Sequence, residues 1–178
     1  MLAWAIAGIG FLAGAAWLLV PAIRERPARD AYASGMRSEM AGDQAAALRS
    51  YERADRLGLR MPDFYYRYAL LSGRLGNLAK AEAMYRNALA VDRKFAPAHE
   101  GLAELYFRRE AWEQAAEEYA IAASLDRGRA AHLYVSAGNI YAGLKQTDKA
   151  RRMYQKAINS SADDEEAKKA LESLNAAP

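Results

Sequence analysis

Residues 96–129 read APAHEGLAELYFRREAWEQAAEEYAIAASLDRGR, and this stretch holds the pattern that decides the fold. Its first half carries Leu102, Leu105 and Tyr106; its second half carries Trp112, Ala115, Tyr119 and Ala122. Spacings of three and four put these side chains on one stripe of each helix. The stretch therefore predicts two antiparallel helices joined by a short turn at Glu110-Ala111. The alanines belong where the helices cross closely, and the tyrosine fills the space beside the crossing. A larger residue at Ala115 would push the helices apart at a cost of roughly 1–3 kcal/mol.

The pattern recurs along the chain. Tyr51, Tyr85, Tyr119 and Tyr154 follow one another at steps of 34, 34 and 35 residues. Two alanine series keep step: Ala47, Ala81, Ala115 and Ala150, then Ala54, Ala88, Ala122 and Ala157. A period near 34 with small residues at fixed offsets from an aromatic marks a helical repeat array. The units are 28–61, 62–95, 96–129 and 131–164, with Ala130 inserted. Gly42-Asp43 and Gly76-Asn77 occupy the turns of the first two units, where they supply helix-stop and helix-start chemistry. The third and fourth units depart, with Glu110-Ala111 and Lys145-Gln146. Asp163-Asp164-Glu165-Glu166 then loads a helix start with negative charge. Ala167, Ala170, Leu171 and Leu174 make a narrow apolar stripe opposite Lys168, Lys169, Glu172 and Asn175. Residues 165–178 are expected as a capping helix and tail, one face on the last repeat and the other in water.

The pattern resembles the tetratricopeptide repeat family over residues 28–164. The small residue of the first helix appears as Gly35, Ala69, Ala103 and Gly138. The family's preceding leucine is Leu102 in the third unit, against Ser34, Tyr68 and Ala137 elsewhere. The first-helix tyrosine is Tyr106 and Tyr141, replaced by Ser38 and Ser72. Leu59, Arg93, Arg127 and Ala162 stand where the family's closing proline is usual. The expected fold is all-α, an N-terminal single transmembrane helix followed by a four-repeat right-handed superhelix with a C-terminal capping helix.

The transmembrane expectation rests on the first residues. Positions 1–20 hold no charged side chain, and Pro21-Ala22-Ile23-Arg24 closes the run. As a helix, residues 2–20 would be about 28 Å long, against a hydrocarbon core of about 30 Å. Trp4 and Trp17 fall towards its ends, as interfacial anchors do. A cleaved signal peptide is the rival reading: Ala13-Gly14-Ala15 has a small-x-small form, but no basic residue precedes the apolar run. Residues 1–23 are read as the anchor and 24–27 as a short linker. Arg24, Arg26, Arg29 and Arg37 all follow the span, so the positive-inside tendency puts the repeats in the cytoplasm; the periplasmic side is the alternative. Ala3, Ala7, Gly10 and Gly14 share one side of the span and would let a partner helix approach closely.

Composition narrows the function classes. The net charge is +3 and the arginines are spread along helix faces, without a nucleic-acid recognition motif. There is no cysteine, which excludes disulfides, thiolate metal sites and a lipid anchor on cysteine. His99 and His132 lack further ligands at metal-binding spacing. His99 is expected to pack or to satisfy a hydrogen bond. No phosphate-binding loop follows a strand. The expectation is a protein without catalytic residues, metal, cofactor, small-molecule substrate or nucleic-acid partner.

The family resemblance implies that first helices line a concave surface holding a peptide or helix of a protein partner. Its groove-facing positions carry over to Tyr32, Met36 and Met40 in the first unit, and to Tyr66, Arg67, Leu70 and Arg74 in the second. The third unit offers Glu104, Phe107 and Arg108, the fourth Asn139. Aromatic and methionine side chains provide adaptable apolar contact, and arginine adds bidentate contact to carboxylates. The expected ligand has apolar residues and some acidic ones. The lysine-and-asparagine clamp used by some family members for chaperone C-termini is not reproduced. Together these features point to a membrane-anchored scaffold, of bacterial type, for assembly or stabilisation of a membrane protein complex. The alternatives are a constitutive accessory subunit of a respiratory or photosynthetic complex, and an exported chaperone or quality-control factor.

Overall fold

The structure, a computed structural model, describes residues 25–161 and 164–176. The expected anchor at 1–23, with its Ala3, Ala7, Gly10 and Gly14 face, lies outside the described residues. Among the described residues, no helix is long and apolar enough to cross a membrane. Nine helices are present among them: α1 (25–40), α2 (Gln44–Arg56), α3 (Pro62–Arg74), α4 (Leu78–Val91), α5 (Ala96–Arg108), α6 (Trp112–Leu125), α7 (Ala130–Gly143), α8 (Thr147–Ser160) and α9 (Glu165–Ala176). Residues 25–27, expected as part of a linker, are already helical, and Arg29 pairs with Glu25 one turn away at 2.9 Å.

Each helical hairpin closes in the same way. The backbone N–H of Asp43, Asn77, Ala111 and Gln146 donates to the carbonyl of Ser38, Ser72, Tyr106 and Tyr141, at 2.9 Å in each case. This bond requires a left-handed residue just before it. Gly42 and Gly76 meet the requirement with φ of 78° and 82°; Glu110 and Lys145 adopt it with φ of 60° and 59°. The departures noted in the third and fourth units therefore keep the turn geometry and accept its strain. Asp43 and Asn77 then cap α2 and α4, accepting from the N–H of Ala46 and Lys80. Ala111 and Gln146 make no such side-chain cap.

The described chain divides into two compact units, one up to Phe64 and one from Tyr65. In the first, Ala47, Tyr51, Ala54 and Phe64 are wholly buried. The rings of Tyr32, Tyr51 and Phe64 form a cluster with centroids 5.5–6.1 Å apart, Phe64 edge-on to both tyrosines and the tyrosines tilted to each other. Gly35 gives the Tyr51 ring its space, and the Tyr51 hydroxyl donates to Glu39.

In the second unit, α5 packs on α4 and α6, and α7 on α6 and α8. Ala81, Ala88, Ala115, Ala122, Ala150 and Ala157 are all at most 1 % exposed, so both alanine series lie at helix crossings. The inserted Ala130 is the buried first residue of α7. α9 lays Ala167, Ala170, Leu171 and Leu174 against the α7–α8 hairpin, and Asp164 caps it by accepting from the N–H of Ala167. Lys80, Lys149 and Lys156, on second helices, sit 5.0–5.3 Å from the ring centroids of Tyr68, Tyr141 and Tyr134 on first helices. Such contacts use the aliphatic stem and the charge of lysine together.

Candidate interaction surface

In the first unit the expected groove residues separate. Tyr32 is a core residue, buried against Tyr51 and Phe64, with its hydroxyl donating to Asp63. Its expected groove-facing position is thus a buried one, as are those of Ala28 and Ala31 on the same helix. Met36 is half-buried, while Met40, near the end of α1, is 89 % exposed.

The second unit brings its residues together. Leu70, Arg74, Glu104 and Arg108 line a narrow cleft of about 150 Å³ between α3, α4 and α5, floored by Tyr85 and Gly101. Phe107 and Asn139 line a wider one of about 390 Å³ between α5, α6 and α7, with Trp112, Tyr119, Ser136 and Ile140. Phe107 meets Trp112 edge-on at 4.9 Å, yet remains 47 % exposed. Asn139 is held in place by the Tyr154 hydroxyl, which donates to its side-chain oxygen at 2.8 Å. Tyr66 stands between Tyr85 and Phe95, with ring centroids 6.1 and 5.9 Å away. Arg67 is exposed.

The electrostatics of this surface centre on two glutamates. Glu100 forms a two-pronged ion pair with Arg129, the residue preceding α7. Glu104, one turn further on α5, has no hydrogen-bond or ion-pair partner among the described residues. Partial burial, then the charge of Glu100, raises the Glu104 carboxyl above its ordinary value, against the opposing pull of Arg129 and Arg108. Tyr66 is raised by burial and by both glutamates. Burial pushes Tyr119 up to about 12, with Glu104 and Glu100 adding to it. Tyr85 is raised by burial, then by Tyr66 and the same two glutamates. The hydroxyls of Tyr66, Tyr85 and Tyr119 make no hydrogen bond to another described residue. The charges of Glu100 and Glu104 thus reach all three tyrosines of this surface.

Residues 62–95 and 131–164 match the family model of the tetratricopeptide repeat. The chain carries tetratricopeptide repeats. Among solved structures it is similar to YrrB, a TPR protein with an unusual peptide-binding site, at 22 % identity over 82 % of this chain and 74 % of that one, with a TM-score of 0.64. It is also similar to MamA from Desulfovibrio magneticus RS-1, at 18 % identity over 84 % of each chain and a TM-score of 0.66. A third is pilF of Pseudomonas aeruginosa, at 16 % identity over 85 % of this chain and 68 % of that one, with a TM-score of 0.62. At these identities the likeness is one of fold. Comparison with curated proteins returns no match.

Within the tetratricopeptide frame, sequence reasoning placed the surface on first helices alone and so missed Trp112 and Tyr119 of α6. The signal for Tyr119 was present in the glycines. Tyr51 and Tyr154 pack on Gly35 and Gly138, and Tyr85 packs on Gly101. Tyr119 has Ala103 and Ser136 at the two corresponding places, so its ring stays at the cleft wall. His99 makes the hydrogen bond expected of it, and more: Nδ1 lies 2.7 Å from Glu118 and Nε2 3.1 Å from the Arg93 carbonyl. Among the described residues, no group of three or more acidic, histidine or cysteine side chains is arranged to hold a metal ion.

Proposed function

We propose that the protein is a membrane-anchored scaffold whose tetratricopeptide repeats hold a protein partner, in the assembly or stabilisation of a membrane protein complex. What carries the reading is the aromatic cleft of about 390 Å³ among α5, α6 and α7, on a repeat frame whose stacked helices offer an extended binding surface. The charge-free run at 1–20, followed by Arg24, Arg26 and Arg29, supports the anchor. The same arginines support a cytoplasmic site for the repeats, and Ala3, Ala7, Gly10 and Gly14 support contact with a partner's membrane helix.

Cell fractionation tests the anchor. The full-length protein is expected in membranes after an alkaline carbonate wash, and a version lacking residues 1–23 in the soluble fraction. Release of the full-length protein by carbonate would remove the anchor from this account. Protease added to spheroplasts is expected to leave the repeats intact; digestion would put them on the outer side.

A further inference from the structure

Arginines gather at one end of the first unit, where α1 starts and α2 finishes. The hairpin sets Arg26 beside Arg53 around a concavity that also holds Asp30, and Arg29 beside Leu57 and Arg60 around a second. Arg56 stands between Arg53 and Leu57 on the last turn of α2. Arg26, Arg53 and Arg56 are exposed and make no hydrogen bond or ion pair with another described residue. Among the carboxylates nearby, Glu25 is held by Arg29 and Asp63 accepts from the Tyr32 hydroxyl, while Asp30 and Asp55 stand among the arginines. Basic residues suit the end of any helix, so that role alone would put them on every second helix. α4, α6 and α8 carry none in their last turn, whereas α2 carries Arg53 and Arg56. α2 is also the second helix nearest in sequence to the charge-free run at 1–20.

We propose that this end of the first unit binds anionic phospholipid, its arginines meeting headgroup phosphates. The proposal rests on the anchor reading and adds a second attachment, which lays the first repeat on the membrane surface. The connection is what selects the occupant. Residues 21–24 separate the charge-free run from α1, and fully extended they reach only about 14 Å. An anchor in that run therefore brings the start of α1 to the headgroups, and leaves Met40, at the other end of the helix, about 22 Å further along. The arginines then lie within a few screening lengths of the bilayer. Guanidinium groups pair with phosphate oxygens through two hydrogen bonds, and each basic side chain near an anionic leaflet adds to the attraction. An acidic protein could meet the same charges, but the short connection favours the membrane.

The protein has no cysteine, so one introduced thiol carries a unique fluorescent label. Full-length Leu57→Cys and Met40→Cys proteins are labelled and reconstituted in vesicles of equal parts phosphatidylcholine and phosphatidylglycerol, with a nitroxide on a trace lipid's headgroup. Leu57 is 46 % exposed among the arginines, and Met40 is the exposed reference. The label at Leu57→Cys is expected to be quenched severalfold more than that at Met40→Cys, a preference lost in phosphatidylcholine alone and weakened by high salt. Arg53→Gln/Arg56→Gln is expected to remove most of the preference, and Arg53→Lys/Arg56→Lys to keep it. Arg37→Gln/Arg49→Gln, which removes the same charge from exposed positions outside that end, is expected to leave it unchanged. Equal quenching at the two sites, an equal preference in phosphatidylcholine alone, or indifference to Arg53→Gln/Arg56→Gln overturns the proposal, and the anchor stands as long as the protein floats with the vesicles after a carbonate wash. Failure to float overturns both.

Discussion

Tyr85 packs against Gly101, sixteen residues ahead of it, whereas Tyr51 and Tyr154 pack against Gly35 and Gly138, sixteen residues behind. The cause is the small residue of each tyrosine's own unit, which is glycine in the first and fourth units but Ala69 in the second. Denied that space, Tyr85 leans on the next first helix. A Cβ on Gly101 would overlap its ring and stand 2.7 Å from its hydroxyl oxygen. Gly101→Ala is therefore expected to destabilise the protein by about 1–3 kcal/mol, since the buried ring must be displaced. Gly143→Ala, at the end of α7 with open space around it, is expected to stabilise by about 0.5–1 kcal/mol. Urea unfolding of the two variants checks the contrast in sign.

Glu110 and Lys145 carry the left-handed backbone that Gly42 and Gly76 carry elsewhere. A side chain there costs about 1–2 kcal/mol, which glycine avoids while losing more freedom on folding. Glu110→Gly and Lys145→Gly are each expected to raise stability by about 0.5–1 kcal/mol. Gly76→Ala is expected to lower it by a similar amount. Thermal unfolding of the three variants is the measurement.

Helix starts offer an independent check. Asp43 and Asn77 each accept a hydrogen bond from a first-turn N–H, at 2.8 and 3.0 Å. Replacing either by alanine is expected to cost about 1 kcal/mol. Ala111 holds the corresponding place before α6 without a cap, so Ala111→Asp is expected to return about 0.5–1 kcal/mol. Denaturant midpoints of the variants report this directly.

Both ring nitrogens of His99 face acceptors, Glu118 and the Arg93 carbonyl, so the doubly protonated ring satisfies both. The hydrogen bond to Glu118, and secondarily the one to Arg93, raises His99 above its ordinary value against the effect of burial. A folded-state value above the unfolded one of about 6.5 means stabilisation that is complete below that pH. It is lost as pH rises through the higher folded value. The unfolding free energy is thus expected to fall with rising pH across that window, and Glu118→Gln to flatten the slope. Unfolding curves at a series of pH values test the sign.

The repeat frame was legible because it depends on sequence-local facts: the tyrosine period and the alanines, which the structure buries at crossings. The turns at Glu110 and Lys145 were half legible. Their position followed from the period, but glycine-like backbone at a glutamate and a lysine leaves no compositional trace. The interaction surface was less so. Tyr32 and Tyr66 look alike in sequence, yet Tyr32 sinks between Tyr51 and Phe64 while Tyr66 stays half-buried beside Tyr85. The charge of the surface turns on which arginine reaches which glutamate. Arg129 reaches Glu100 from 29 residues away, a pairing that no local spacing announces.

The central claim is that the α5–α7 face holds a protein partner. It is tested most directly by purifying the full-length protein in gentle detergent beside an otherwise identical Phe107→Ala/Trp112→Ala version, with quantitative mass spectrometry of what stays bound. The account expects a defined partner on the unaltered protein, depleted at least about tenfold on the double variant, with both proteins folded and in the membrane. Equal retention of every partner by the two proteins would contradict it.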